Sequence, residues 1–385
     1  MSRRTVVAAL GIAAVAAGGI AGGVAATSSH GSISLSANAS AARHGHHGRS
    51  WSYGHHWVFN KIDNQNDPTF NQLLGVNDRG QIAGYFGSGA AGHPNKGYLL
   101  VRHDSLFVNE NVPTAVQTQV VGLNNTGVTV GFWSSQNTAN ETNNNFGFYT
   151  WRGQFHNVNF PTANNANPPV NQLLGVNDRD VAVGFYNDAQ GNAHGYAYSI
   201  PGHWFARVRV PGASSVTASG INNRGDIVGF YTGRHGSVHG FLRERDGNLV
   251  RLSVPGASST MAFGINNRRE VVGTYTVGSG DAAKTFGFVW VPWHRGFATI
   301  NAPRGSGATT LNGINDAGDL VGFYTDAAGN TDGLLVSHFR VRHTPVSPPL
   351  TAVQPTTPMA TPTATAATPV TTPTAVPTGA GPTHF

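Results

Sequence analysis

One twelve-residue motif recurs along the chain and constrains its fold more than any other feature. It reads GVNDRGQIAGYF from Gly75, GVNDRDVAVGFY from Gly175 and GINDAGDLVGFY from Gly313. Its first glycine recurs in six copies, spaced by about the length of one four-stranded propeller blade. The sequence therefore predicts an all-β, six-bladed β-propeller built from six repeats of about 45 residues, with disordered termini. The motif glycines are Gly75, Gly122, Gly175, Gly220, Gly264 and Gly313.

Each repeat contains the residues of four short strands. The third candidate strand starts with glycine and usually an aromatic residue, and the fourth usually ends at proline, which stops a strand. One extra fourth-strand segment lies at an end of the repeat region, either Trp57–Asp63 or Phe339–Arg342. We expect one of these two segments to pair with the blade at the other terminus and close the ring. A pair of β-trefoils, also built from six hairpin repeats, remains an alternative architecture.

The centre of the motif predicts a hairpin turn. Its Asn-Asp-Arg residues suit a type I turn, and the following glycine suits the left-handed position. The predicted cross-strand pairs are Val76–Ile82, Gly75–Ala83, Leu74–Gly84 and Leu73–Tyr85. Both faces of this hairpin are then apolar, as a blade between two other blades requires. The residues assigned to these structural turns are Asn77, Gly80, Asn124, Gly127, Asn177, Asn222, Gly225, Asn266, Asn315 and Gly318.

Two repeats depart from this turn pattern. Asp180 and Arg269 stand where the other four copies have glycine. A left-handed conformation costs arginine roughly 1 kcal/mol. We therefore expect the substitution Arg269→Gly to be neutral or stabilising.

The ends of the chain have the compositions of targeting and linker segments. Residues 1–26 place Arg3 and Arg4 before an uncharged Ala/Gly/Val run and are predicted to be a signal peptide, of the twin-arginine or the general type. Residues 27–55 form a Ser/Gly/His linker, residues 56–343 the repeat domain, and residues 344–385 a Pro/Thr/Ala-rich disordered tail. We therefore expect a secreted protein, extracellular or associated with the cell wall, with no stable membrane span after cleavage of the signal.

Composition argues against several kinds of partner and site. The absence of cysteine excludes disulfides, thiolate zinc sites and a cysteine nucleophile. The formal charge of +6 is not gathered into a dense Lys/Arg cluster, so we expect no nucleic-acid partner. The Asn-Asp turns lack the alternating oxygens and final acid of a calcium loop, and the histidines near residue 45 lie in a Gly-rich linker. We predict no metal, no cofactor and a monomer.

The repeats resemble a known family. The segment Gly220–Leu249 joins GINNRGDIVGFY to His239-Gly240-Phe241-Leu242, and His194 begins a similar group. In this arrangement the chain resembles the HAF repeat family of bacterial extracellular proteins, with glycine replacing the alanine of that family. The resemblance covers roughly residues 60–340, and four copies lack the histidine. It implies secretion and a repeat fold, and it implies no reaction.

Function is expected where the copies differ. No catalytic motif such as Gly-x-Ser-x-Gly or His-Glu-x-x-His is present. The variable loops join the second and third strands, opposite the repeated turns, and Ser134–Phe146 is rich in amides beside a tryptophan. We predict a non-catalytic binding or scaffold module for a glycan or a surface protein; the alternative is a secreted glycan hydrolase or lyase with an axial site. The candidate binding residues are Trp133, Gln136, Asn137, Asn140, Asn143, Asn144 and Asn145.

Overall fold

A computed structural model describes residues 29–32, 56–90, 92–102, 105–137, 143–163, 166–293 and 295–339. The predicted signal peptide, the tail, most of the linker and Asn140 lie outside the described residues. In the described part, the chain consists almost entirely of strands and turns, with a short 3₁₀ turn at Gly280–Ala282. No helix there is long and apolar enough to cross a bilayer.

The strands follow the repeats. The first strands are β3 (Asn71–Val76), β7 (Gln117–Leu123), β11 (Asn171–Val176), β15 (Ser215–Ile221), β19 (Ser259–Ile265) and β23 (Thr309–Ile314). The second strands are β4 (Gln81–Phe86), β8 (Thr129–Ser134), β12 (Val181–Asn187), β16 (Ile227–Thr232), β20 (Val271–Val277) and β24 (Leu320–Thr325). The third strands are β5 (Lys96–Val101), β9 (Phe146–Trp151), β13 (Ala193–Ser199), β17 (Val238–Arg243), β21 (Lys284–Val291) and β25 (Thr331–Phe339). The fourth strands are β6 (Leu106–Asn109), β10 (Gln154–Asn157), β14 (Trp204–Arg207), β18 (Leu249–Leu252) and β22 (Gly296–Ile300), and β1 (Ser29–Ser32) and β2 (His56–Lys61) precede the repeats.

Hydrogen bonding joins these strands into small sheets in a propeller-like arrangement. Strands β3–β6, β7–β10 and β11–β14 each form a separate four-stranded antiparallel sheet. The expected six separate sheets are not found, because β17 and β19 share a bridge between Val238 and Ser259 that merges β15–β22 into one eight-stranded sheet. The fifth sheet contains β23, β24, β25, β2 and β1.

An N-terminal strand completes the last sheet. Strand β2 runs antiparallel to β25, from the pair His56↔Phe339 to the pair Lys61↔Leu334. The pairing therefore selects Trp57–Asp63, and not Phe339–Arg342, as the source of the closing strand. Because this contact joins the two ends of the repeat region, the sheet of the last repeat does not end in a free edge at β25.

A β-bulge in the first strand of each repeat changes the predicted register. The two pairs nearest the turn form as predicted, but Leu74 is then skipped and Leu73 pairs with Gly84. The predicted pairs Leu74–Gly84 and Leu73–Tyr85 are therefore wrong, because regular alternation does not allow for an extra residue. The same shift occurs directly before the motif glycine of the other five repeats. The bulge turns Leu74 away from the cluster of Leu73 and into a cluster near the axis.

The motif glycines bring the first strands together around one axis. A Cβ on Gly75 would lie 2.8 Å from the carbonyl oxygen of Val121 and 3.2 Å from the Cα of Gly122. Equivalent contacts continue from repeat to repeat, and Gly313 returns to the Cα of Gly75 at 3.2 Å. A side chain at these positions would force the strands apart. Two separate β-trefoils would give two rings of three repeats, so the single closed ring excludes that alternative.

Candidate functional site

The repeated asparagines form a hydrogen-bond ring at the turn end of the axis. Each Nδ2 donates to the backbone oxygen of the equivalent asparagine in the next repeat, at 2.9 to 3.2 Å. Each Oδ1 accepts backbone N–H groups of its own turn. Only an amide supplies both functions, which explains asparagine rather than aspartate here. The ring passes through Asn77, Asn124, Asn177, Asn222, Asn266 and Asn315.

A second ring follows one residue later in each turn. Each backbone N–H donates to a side-chain oxygen of the next repeat at 2.7 to 2.8 Å. These carboxylates and amides are therefore used in joining the repeats. In the described ranges, no three His, Asp or Glu side chains are grouped to hold a metal ion. The ring contains Asp78, Asn125, Asp178, Asn223, Asn267 and Asp316.

The left-handed turn position is confirmed, but Arg269 has a further role. Gly80, Asp180 and Arg269 have φ of 75°, 55° and 62°. The guanidinium of Arg269 holds Asp226 through Nε at 2.7 Å and Nη2 at 3.1 Å, and its Nη1 reaches Glu244 at 2.9 Å. Because the side chain of Asp226 is fully buried, removing its cation is costly. The structure reverses our expectation from the backbone, and Arg269→Gly should destabilise the fold.

A charged cluster lies beside the closing strand. The ammonium group of Lys61 is 3.0 Å from Asp63 Oδ2 and 2.6 Å from Asp332 Oδ1. Burial and the charge of Asp332 raise the pKa of Asp63 to about 6. Burial also raises the pKa of Asp332, and it outweighs the hydrogen bond and the charge of Lys61, which lower that pKa. Two carboxylates thus share one cation where the two ends of the repeat region pair.

A cavity of about 190 Å³ lies at the loop end of the axis. Its lining comes from the first strands, from the ends of second strands such as Thr276, and from the starts of third strands such as Thr285. The bulged residues Leu74 and Leu174 contribute to it, so the bulge is what turns them toward the cavity. The described lining residues include seven threonines and no Asp, Glu, His, Lys or Arg.

Three buried amides in the cavity wall have a polar atom without a partner in the protein. Gln72 accepts from the Tyr85 hydroxyl at 2.9 Å, but its Nε2 is unpaired. Gln172 donates from Nε2 to Asn145 at 2.6 Å, but its Oε1 is unpaired. The Oδ1 of Asn312 is also unpaired. A buried polar group without a partner costs about 1–3 kcal/mol, so each of these three groups costs the fold free energy.

The predicted binding loop is organised by its own side chains. The Oδ1 of Asn144 accepts from the Ser134 hydroxyl at 2.8 Å, and Gln136 Oε1 accepts the N–H of Asn144 at 3.2 Å. Asn137 donates to the carbonyl of Ala90 at 3.3 Å. These amides shape the loop, and its role in binding stays a prediction.

Two other residues of the predicted set tie the loop to the body of the fold. Trp133 is half-buried, and its ring lies against that of Phe146, with centroids 4.9 Å apart and planes tilted by 39°. Its indole N–H donates to Asn157 at 2.8 Å. Asn145 donates to the carbonyl of Asn143 and accepts from Gln172, a residue of the cavity wall. The predicted loop and the cavity are thus in contact through one hydrogen bond.

The sequence prediction missed the cavity residues. Gln72 and Gln172 stand three positions before their motif glycines, where later repeats have Thr217, Met261 and Thr310. Asn312 stands directly before its glycine, where repeats 1 and 3 have leucine. These residues could have been found in the sequence because they differ from copy to copy in a strand whose other positions are nearly the same in all repeats.

Comparisons with known proteins show low similarity. No family model matches the chain, and no curated protein matches it. The chain is similar to TolB from Acinetobacter baumannii, with 12% identity over 65% of this chain and 60% of that chain and a TM-score of 0.43. It is similar to YjhT at 10% identity, over 71% of this chain and 98% of that chain, with a TM-score of 0.43. It is similar to AofleA from Arthrobotrys oligospora at 13% identity, over 75% of this chain and 88% of that chain, with a TM-score of 0.46. The chain covers less than two thirds of the TolB structure, and these values assign no function.

Proposed function

We propose that this chain is an exported, non-catalytic module that binds a glycan on the loop end of its axis. In this proposal the six repeats act as six blades of one propeller, with two of them sharing a merged sheet. The two hydrogen-bond rings that pass through every repeat support this count. The proposal is carried by one observation: the surface of the cavity wall is mainly apolar, with aromatic side chains, hydroxyl groups and amides, and the described lining residues include no charged side chain.

The rival function requires groups that this wall does not supply. A glycan hydrolase of the usual kind needs a pair of carboxylates flanking the scissile bond, and a lyase needs a base. Hydroxyl, amide and aromatic groups can hold a sugar but cannot transfer its protons at neutral pH. The lining residues described at the axis therefore favour binding over catalysis.

Export is the second part of the proposal. It rests on the Arg-started apolar segment of residues 1–26, the Pro/Thr/Ala-rich residues 344–385 and the resemblance to the HAF repeats. Together they favour a place at the cell surface or outside the cell, where glycans are available. Fractionation of a culture that expresses the full chain tests this part, since retention in the cytoplasm would contradict it.

The binding function is tested with the full chain on a glycan array and on purified cell-wall material. We expect saturable binding to uncharged glycans, and loss of binding after heat unfolding. A variant lacking Ser134–Phe146 tests the predicted loop, whose role is contradicted if binding is retained. Failure to bind any glycan, or binding only to protein components, would contradict the proposed function.

A further inference from the structure

We propose that the loop between the second and third strands of repeat 4 binds a carboxylate group of a ligand. The loop comprises residues 233–237, between β16 and β17, and none of its residues lines the axial cavity. Three observations carry the inference. Two other repeats hold a carboxylate of their own at this place, repeat 4 presents the same donors without one, and the side chains around these donors are cationic.

Repeats 3, 4 and 6 have loops of equal length and equal backbone hydrogen bonding at this place. The loops comprise residues 188–192, 233–237 and 326–330. In each loop the N–H of the first residue donates to the carbonyl of the fifth, and the N–H of the fourth donates to the carbonyl of the first, at 2.8 to 3.2 Å. The fourth residue is always a glycine with φ of 79° to 86°. The three loops can therefore be compared position by position.

In repeats 3 and 6 the first loop residue is an aspartate, and the loop holds its carboxylate. Asp188 Oδ1 accepts the backbone N–H groups of Gln190 and Asn192, both at 2.9 Å. Asp326 Oδ1 accepts the equivalent N–H groups at 2.8 and 2.9 Å. In repeat 3 the other oxygen of Asp188 lies 2.8 Å from Nε2 of His194. The loop of repeat 3 thus offers two backbone donors to one carboxylate oxygen and an imidazole to the other.

Repeat 4 keeps these donors and lacks the carboxylate. Its first loop residue is Gly233, and the equivalent N–H groups, those of His235 and Ser237, meet no acceptor in the described part of the chain. The equivalent imidazole belongs to His239, whose Nε2 lies 3.0 Å from the Ser237 hydroxyl. A Cβ on Gly233 would have only atoms of Ser237 within 4 Å beyond its chain neighbours, so the place is open. A carboxylate of a ligand can therefore take the position that Asp188 fills in repeat 3.

The side chains around this place are cationic. Nη2 of Arg251 lies 2.9 Å from Nε2 and 3.2 Å from Nδ1 of His239. The loop adds Arg234 and His235, and none of these four side chains forms an ion pair with a carboxylate of the described residues. Burial and the charge of Arg251 lower the pKa of His239. A bound anion would interact favourably with Arg251 and with protonated His239.

The aspartate of repeat 3 also indicates which anion fits. A planar carboxylate spans the two backbone donors and the imidazole there, and a guanidinium matches the same planar group with two parallel hydrogen bonds. By strand register, Arg251 corresponds to Arg207 of repeat 3. Arg207 instead lies over the ring of Phe160, at 5.4 Å from its centroid. Repeat 4 thus directs its arginine toward the donors that have no carboxylate, which favours a carboxylate over a tetrahedral sulfate or phosphate.

The substitution Gly233→Asp tests the site by filling it from within the chain. It installs the residue that repeats 3 and 6 have at this position. Since Gly233 has no positive φ and the Ser237 hydroxyl, 3.1 Å from the new Cβ, can rotate, we expect an unchanged or raised Tm together with at least tenfold weaker carboxylate binding. Arg251→Gln should weaken binding at least fivefold. Gln154→Glu is the matched control, because it lowers the net charge equally at an exposed residue of repeat 2.

The experiment titrates the ¹⁵N-labelled full chain and these variants at constant pH and ionic strength. The probes are acetate and methyl glucuronide as carboxylates, sulfate and phosphate as other oxyanions, and methyl glucoside as a neutral probe. The readout is the pair of backbone amide signals of His235 and Ser237. Saturable shifts with both carboxylates in the wild type and Gln154→Glu, and their loss in Gly233→Asp, support the site.

Four results would overturn the inference. They are unchanged amide signals with both carboxylates, equal binding by Gly233→Asp and wild type, tighter binding of sulfate or phosphate than of acetate, and equal shifts with methyl glucoside and methyl glucuronide. The inference does not depend on the proposed glycan binding, because no residue of this loop lines the axial cavity. Its failure would leave the proposed function intact, and the absence of glycan binding at the axis would leave this site intact.

Discussion

Replacing Arg269 with glycine should destabilise the protein, although it relieves an unfavourable backbone conformation. Relief of φ = 62° contributes roughly 1 kcal/mol. Against this gain, the variant loses two hydrogen bonds to the fully buried Asp226, which costs about 3 kcal/mol. This value is at the low end of the range for breaking a buried ion pair, because the side chain of Arg269 is partly exposed. The expected net loss is therefore about 2 kcal/mol at neutral pH.

Urea unfolding of a double-mutant cycle isolates this pair. The four proteins are wild type, Arg269→Gly, Asp226→Asn and the double variant. We expect the double variant to be less destabilised than the sum of the two single variants, because each single change leaves the other partner uncompensated. An Arg269→Gly variant as stable as wild type at pH 7 would refute the reasoning, and would show that the backbone conformation decides the outcome.

The same pair has a defined pH dependence. Burial alone would raise the pKa of Asp226, but the hydrogen bonds from Arg269, Asn222 and the backbone of Arg245 outweigh burial and lower the pKa. A lowered pKa means that the stabilisation is present above the ordinary aspartate pKa, about 4, and is lost as the pH falls through the folded value. The difference between wild type and Arg269→Gly should therefore shrink below pH 4.

Three further predictions concern the asparagine ring, the packing of strands within a repeat and the closing strand. Asn177→Asp should cost about 2–3 kcal/mol of unfolding free energy in urea, since it replaces the donor to the Asn222 carbonyl with a buried charge; stability equal to wild type would contradict the role of the asparagine ring. Gly184→Ala should prevent folding or lower the Tm strongly, because its Cβ would lie 1.9 Å from the carbonyl oxygen of Gln172; a normal circular dichroism melt would contradict this packing. Asp63→Asn should raise the Tm relative to wild type at pH 7.5, and should raise it much less at pH 5. The reason is that the raised pKa of Asp63 makes the wild-type protein less stable as the pH rises from about 4 to about 6. An equal difference at both pH values would contradict the shared-cation arrangement.

Sequence patterns predicted the parts of the fold that depend on local chemistry. Asparagine and glycine at the turn predict a hairpin. Few other side chains can accept the backbone N–H groups of the turn as asparagine does, and few other residues adopt the positive φ that glycine adopts. The sequence left two candidate segments for the strand that closes the ring. Only the observed pairing of β2 with β25 decides between them.

The candidate site depends on features that no local pattern encodes. Whether Leu74 or Leu73 pairs with Gly84 is set by a bulge, and the bulge decides which residues turn toward the axis. Asn312 reads as an ordinary polar residue in a strand until the ring places it in a cavity wall. Arg269 was misjudged for a similar reason, since its partner Asp226 belongs to the preceding repeat.

Methionine NMR provides the most direct measurement of the central claim. The chain has three methionines, and Met261 alone belongs to the repeat region, where it lines the cavity, whereas Met359 stands in the Pro/Thr/Ala-rich segment. In the full chain labelled with ¹³C-methyl methionine and titrated with a neutral methyl glycoside that binds, we predict a saturable shift of the Met261 methyl signal and no shift of the Met359 signal. An unchanged Met261 signal at saturating glycoside would contradict binding at the axis.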